Sequence, residues 1–156
     1  MNKENIKLKV SAIVNGTVID HISANSLFKV IKILDLKNIK TQITFGTNLD
    51  SKKLGKKAII KISEYFFKDE DINKIALVSP EARLNIIKNY LVVEKRNIEI
   101  PKKVKGIVKC VNPKCITNHQ NVLQKFDIIV SKERKISLKC HYCEKVTTQD
   151  NMKFIV

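Results

Sequence analysis

Cys110-Val-Asn-Pro-Lys-Cys115 and, twenty-four residues later, Cys140-His-Tyr-Cys143 contain all four cysteines of the chain. Two close pairs, separated by enough chain for two or three strands, match what a tetrahedral zinc site asks of a sequence, each pair forming one knuckle. Four thiolates, from Cys110, Cys115, Cys140 and Cys143, leave no open position for water or substrate, so the ion is expected to be structural. The first spacing, with four intervening residues, is wider than the usual two but within known ligand spacings. Iron is the competing ion for such a set. Disulfides are the other alternative, but the charged start Met-Asn-Lys-Glu-Asn carries no apolar signal segment, which points to a reducing cytosolic setting.

The 156 residues fit one domain or two small ones, and 44% apolar residues is ordinary for a globular protein. The net charge of +15 is not ordinary, although four thiolates around one Zn2+ would lower it by two. Residues 1–100 carry 18 basic against 11 acidic residues, and the remainder 12 against 4. Such a surface attracts phosphate-bearing ligands or acidic partners. Nucleic acid is the competing partner. Against it stand only three arginines, Arg83, Arg96 and Arg134, no tryptophan and 6% aromatics, because arginine forks onto guanine and aromatic rings stack on unpaired bases. No apolar run approaches membrane-spanning length.

From Leu8 to Val14 apolar and polar residues alternate, Asn15-Gly16 supplies a turn, and Thr17 to Ile22 is β-rich, so these segments are expected to pair as a hairpin. Leu27, Phe28, Val30, Ile31, Ile33 and Leu34 recur at helical spacing within Ala24 to Leu36, with Ser23 or Asn25 as the cap. Strands follow at Thr41 to Phe45, closed by Gly46, and at Ala58 to Ile62, and Lys52-Lys53 with Lys56-Lys57 read as a solvated loop. Asp69-Glu-Asp71 favours a helix start, Ile72, Ile75 and Ala76 form its apolar side, and Pro80 ends it. Arg83 to Ile87 and Tyr90 to Val93 are the last strands before a charged linker, Arg96 to Lys105. After it, strands are expected at Val122 to Val130, Lys135 to Lys139, Val146 to Thr148 and Lys153 to Val156.

This order predicts an α+β fold. Residues 1–100 form a ferredoxin-like antiparallel sheet with two helices on one face, and residues 101–156 an all-β domain of zinc-ribbon or rubredoxin type. Phe45, Ile60 and their alternates suggest a sheet edge or face covered by a second copy. Catalytic chemistry is not expected. The chain has no phosphate-cradling glycine loop, nucleophile elbow or paired-His metal motif, and its cysteines are already assigned. His119 and His141 flank the knuckles and read as surface residues, while the Asp20-His21 pair among lysines reads as a binding feature.

Gly16-Thr-Val-Ile-Asp-His-Ile22, Asn89-Tyr90 with Val92-Val93 and Lys95, and the knuckles Cys110 to Asn118 and Cys140 to Lys145 together resemble the regulatory chain of aspartate carbamoyltransferase. The likeness runs in order over nearly the whole chain. It implies a non-catalytic subunit of pyrimidine biosynthesis with an N-terminal domain that binds CTP, ATP and, together with CTP, UTP. It implies as well a zinc domain docking onto the catalytic chain, and a regulatory-chain homodimer bridging catalytic trimers in a cytoplasmic dodecamer. By this resemblance Lys95 and His21 face the phosphates, while Asp20 and Lys61 hold ribose hydroxyls, Lys61 also meeting the base carbonyl. Main-chain groups of Ser11, Ala12 and Ile13 read the amino group of the base. Val10, Val18, Ile59, Asn85, Ile87, Tyr90 and Val92 line the pocket, and Asn112, Glu144 and Lys145 belong to the docking surface.

Overall fold

A computed structural model describes residues 12–155. The chain divides into two compact units between Ile98 and Glu99. In the first, β1 (Gly16–Ser23), α1 (Leu27–Ile33), β2 (Ile43–Ser51), β3 (Gly55–Ser63), α2 (Asp69–Ala76), β4 (Arg83–Lys88) and β5 (Leu91–Asn97) follow in order. The strands form one antiparallel sheet ordered β2-β3-β1-β4-β5.

Register explains which face is covered. Ile19 lies opposite Ile60 on one side and Leu84 on the other, and Thr17 lies opposite Ile62 and Ile86. All of these are buried. So are Leu27, Val30 and Ile33 of α1 and Ile72, Ile75 and Ala76 of α2, so both helices pack on this face. Each fully buried aliphatic here contributes about 1.5–3 kcal/mol. Ile60, expected to await a second copy, is instead fully enclosed beneath the helices. Phe45 remains half exposed, its ring edge to face with Phe28 at a centroid distance of 6.4 Å.

The expected hairpin before β1 does not form. Residues 8–11 of its first strand lie outside the described residues, and Ala12 to Asn15 are not in a strand. Both edges of β1 are already occupied by β3 and β4. Asn15 acts as a tie instead of a hairpin turn: its carbonyl accepts the Glu64 N–H at 2.9 Å, and its Oδ1 accepts the Asn89 N–H at 3.1 Å. Gly16 sits at φ +140°, where a Cβ would collide with the Ile62 carbonyl oxygen, so the entry to β1 requires glycine.

The first helix is shorter than its apolar period suggests. A 3-10 turn, Ala24–Ser26, precedes it, neither Ser23 nor Ser26 makes a side-chain cap bond, and Asn25 lies inside the turn. Asp35, at φ 52°, takes the left-handed conformation beyond its end. Phe28 points outward and Ile31 and Leu34 are half-buried. The expected solvated lysine loop is instead a tight β2–β3 turn at residues 52–54, so Lys56 and Lys57 stand in β3.

The second unit is all-β apart from short 3-10 turns. Strands β6 (Lys103–Lys105), β8 (Lys125–Val130), β9 (Ile136–Cys140) and β10 (Val146–Thr148) form a sheet ordered β10-β9-β8-β6, and β7 (Val108–Lys109) pairs with β11 (Lys153–Phe154). Its apolar core is small: Val104, Val108, Phe126, Ile136 and Leu138 are buried beside Cys110, Cys115 and Cys140. Among the described residues, no helix is long and apolar enough to cross a membrane.

Candidate functional site

The four cysteine sulfurs lie within 4.8 Å of one another. Cys110 Sγ is 3.6 Å from Cys143 Sγ, and Cys115 Sγ is 3.7 Å from Cys140 Sγ. A disulfide needs about 2.0 Å, so these are free thiols. Four thiolates held at about 2.3 Å around a tetrahedral ion stand roughly 3.8 Å apart, and the two close pairs match that edge. The donor set fits a closed, structural metal centre.

Short-range geometry builds each knuckle. At the second, the N–H groups of Tyr142 and Cys143 point at Cys140 Sγ and that of Lys145 at Cys143 Sγ. Glu144, at φ 62°, lets its N–H reach the Cys140 carbonyl at 3.0 Å. The longer first loop is pinned by side chains. Asn118 Nδ2 donates to the carbonyls of Cys110 and Asn112 at 3.0 and 2.7 Å, and Asn112 Oδ1 accepts the Lys114 N–H at 3.1 Å.

Burial pushes the Cys110 thiol up to about 12 against the Asn112 N–H, and it raises Cys140 against its own N–H donors. Burial opposes the Cys143 thiolate as well. There the Lys145 N–H and the Asn112 side chain, with the Cys110 and Cys140 thiols, outweigh it and bring the group down to about 7. Enclosed thiols that resist ionisation on their own need a cation among them to become thiolates together. His119 is occupied elsewhere, its Nε2 lying 2.6 Å from the Pro113 carbonyl, and His141 is exposed.

The other assembly of sequence-selected residues lies on the sheet face opposite α1 and α2. Lys61 is opposite Val18, Val18 opposite Asn85, and Asn85 opposite Lys95. Thr44 extends this row onto β2, so one line of side chains crosses all five strands. Neighbouring strands are about 4.8 Å apart, which separates Lys61 from Lys95 by roughly 14 Å. In the next row Gly46 pairs with Ile59, and Asp20 pairs with Arg83. Gly16, Ile87 and Val92 make the third.

The pairing of β1 with β3 shifts between Ile19 and Ile22, a bulge containing Asp20 and His21. His21 adopts φ 58°, its N–H donates to Asp20 Oδ1 at 2.6 Å, and Lys57 Nζ stands 2.9 Å from the same oxygen. Burial holds the His21 imidazole below its usual range; Asp20 opposes this, and Lys57, Arg83 and Lys53 reinforce it. Burial lowers Lys61 too, against Asp20. Ala12 is exposed and Ile13 half-buried, while Val10 and Ser11 lie outside the described residues. Tyr90 sits at the β4–β5 turn with its side chain in solvent, and its N–H reaches the Val14 carbonyl at 2.9 Å.

The sequence model of the aspartate carbamoyltransferase regulatory chain, allosteric domain, matches residues 8–99, and that of its metal binding domain matches residues 102–153. The aspartate carbamoyltransferase regulatory chain of Bacteroides fragilis is 50% identical over 155 residues, covering 99% of this chain and all of that protein. The regulatory chain of Thermococcus sibiricus is 50% identical over 146 residues, covering 94% of this chain and 95% of the other. This chain belongs to the family of aspartate carbamoyltransferase regulatory chains. It is a regulatory chain and not the catalytic one.

Some site-forming residues of this regulatory chain escape a reading of its sequence. Lys57 looks like part of a lysine-rich loop until the β1–β3 register sets it against Asp20. Lys53 and Arg83 join the charge around His21 only through the fold, and no local pattern marks Thr44. Asn118 gave a fainter signal, a residue three positions after a ligand that can close a loop back on itself. Asn112, expected on a docking surface, is half-buried and engaged within the knuckle, whereas Glu144 and Lys145 are exposed.

Proposed function

We propose that this regulatory chain senses nucleoside triphosphates with its first unit and transmits their binding to a catalytic chain held through its second. The cross-strand row Lys61–Val18–Asn85–Lys95 carries this reading. It offers a lysine at each end of a line on the sheet face opposite α1 and α2, with the buried Val18 and the half-buried Asn85 between, long enough for base, ribose and phosphates laid across the strands. Lys95 and His21 meet the phosphates, Asp20 and Lys61 the ribose, and Lys61 the base carbonyl. Ile59, Ile87, Tyr90 and Val92 border the ligand, and the main chain of Ser11, Ala12 and Ile13 reads its amino group. A triphosphate brings about four negative charges, and the cations around His21 favour it. The effectors are CTP and ATP, with UTP acting beside CTP.

The four cysteines hold Zn2+ as a structural ion, and the exposed Glu144 and Lys145 beside the second knuckle meet the catalytic chain. Phe28 and Phe45, 69% and 49% exposed and touching each other, support pairing of two regulatory chains. Such pairs bridge catalytic trimers in a cytoplasmic dodecamer. Nucleotide acts through its differential affinity for the low- and high-activity assemblies, a coupling of about 1–3 kcal/mol in allosteric systems.

Replacing Lys95 by Ala tests the assignment by titration calorimetry with CTP. Removing a charge-assisted contact to phosphate costs roughly 1.5–3 kcal/mol, a weakening of about 10- to 150-fold, while association with the catalytic chain stays intact. CTP affinity equal to that of the unchanged chain would sink the proposal.

A further inference from the structure

Thr117 lies two residues beyond Cys115, in the 3-10 turn Ile116–Asn118 that closes the first knuckle. It is 7% exposed, one of the few buried polar residues among those described. Its Oγ1 lies 3.2 Å from Cys115 Sγ. A thiolate has no proton to give, so once Cys115 is ionised the hydroxyl must be the donor. The second knuckle has only two residues between its cysteines and aims main-chain N–H groups at both of its sulfurs. The first knuckle spans four: the Asn112 N–H meets Cys110 Sγ, Asn118 ties the loop's carbonyls, and at Cys115 it is the Thr117 side chain that reaches the sulfur.

We infer that Thr117 is a positioning residue for the metal, its hydroxyl fixing the Cys115 thiolate and drawing charge from it. Resting on the reading that the four thiolates hold an ion, this assigns metal retention partly to a side chain outside the ligand set. Four thiolates around a divalent cation leave a net charge of −2 in a buried site. A hydroxyl dipole aimed at one sulfur offsets part of that charge and holds the sulfur at its place in the ligand set. Groups of this kind change metal affinity by about 10- to 100-fold when removed.

The test compares the full-length chain with Thr117→Val, which keeps the shape and deletes the hydroxyl, and Thr117→Ser, which keeps the hydroxyl and deletes the methyl. Each is loaded with Zn2+ and challenged with a chromophoric chelator, and each is loaded with Co2+ for its sulfur-to-metal charge-transfer spectrum. Thr117→Val should lose metal about 10-fold or more faster, with the charge-transfer band moved to lower energy by a more electron-rich thiolate. Thr117→Ser should stay close to the unchanged chain in both. Equal release rates and band positions in all three proteins would overturn the inference. Loss in both variants would overturn it as well, since packing of the methyl group would then be responsible. If Thr117→Val does not fold with metal, the Thr117→Ser band and release rate still decide whether the hydroxyl suffices. Failure of the unchanged chain to bind either ion would strike the reading of the four-cysteine site itself.

Discussion

Stripping the metal from the full chain should unfold the second unit and leave the first standing. Beyond its cysteines, the described residues of that unit include only Val104, Val108, Phe126, Ile136 and Leu138 as buried large apolar residues. The knuckles join its parts: Cys140 ends β9, Cys110 follows β7, and the Cys115–Cys140 contact spans 25 positions of sequence. A structural ion in such a site contributes roughly 10–16 kcal/mol of apparent free energy. A unit of this size is stable by roughly 3–9 kcal/mol, so losing the ion exceeds the whole margin. Hydrogen exchange read by mass spectrometry, before and after chelation, follows both units in one sample. Protection across β8 and β9 should collapse to the rates of unstructured chain, and protection of β1 and β3 should persist, because the first unit's core of Ile19, Ile60, Ile62 and Leu84 contains no ligand. Retained protection of β8 and β9 after complete metal removal would refute the reasoning.

Other perturbations probe the first unit. Gly16→Ala combines a disfavoured φ with a collision against the Ile62 carbonyl and should cost roughly 3–5 kcal/mol, seen as a lower urea midpoint. Lys57→Met removes the cation 2.9 Å from Asp20, in a pair only about a fifth exposed, and should cost roughly 1–3 kcal/mol by denaturation; an unchanged midpoint would count against a role for that contact. His21 has its pKa lowered by burial. The unfolded chain therefore takes up the proton first as pH falls below about 6.5, and stability declines there while staying flat above. His21→Gln should flatten that part of the urea-midpoint profile, and an identical slope would contradict the assignment.

What could be read from the sequence was whatever chemistry is local. Cysteine pairs announce a metal centre because ligands of one knuckle are neighbours in the chain, and the Asp69–Asp71 start with Ile72, Ile75 and Ala76 contains its own helix and face. Burial of Ile60 and the pairing of Lys57 with Asp20 depend on strands forty residues apart finding one register. No short window carries that information. The failed hairpin before β1 has the same origin: Asn15-Gly16 has the composition of a tight turn, but β3 and β4 take both edges of the strand that follows. Apolar period overstated α1 because Phe28 joins Phe45 at the surface and Asp35 breaks the α conformation. The row from Lys61 to Lys95 was legible only through resemblance, since alternate strand positions look alike whether they face helices or a ligand.

The most direct test of the regulatory reading is the rate of carbamoyl-aspartate formation by the catalytic chain, measured with and without this chain while CTP or ATP is titrated. The account predicts rates that respond to nucleotide only when this chain is present, a response that Lys95→Ala shifts to higher nucleotide concentration. Rates that ignore nucleotide in the presence of a bound, metal-loaded chain would contradict it.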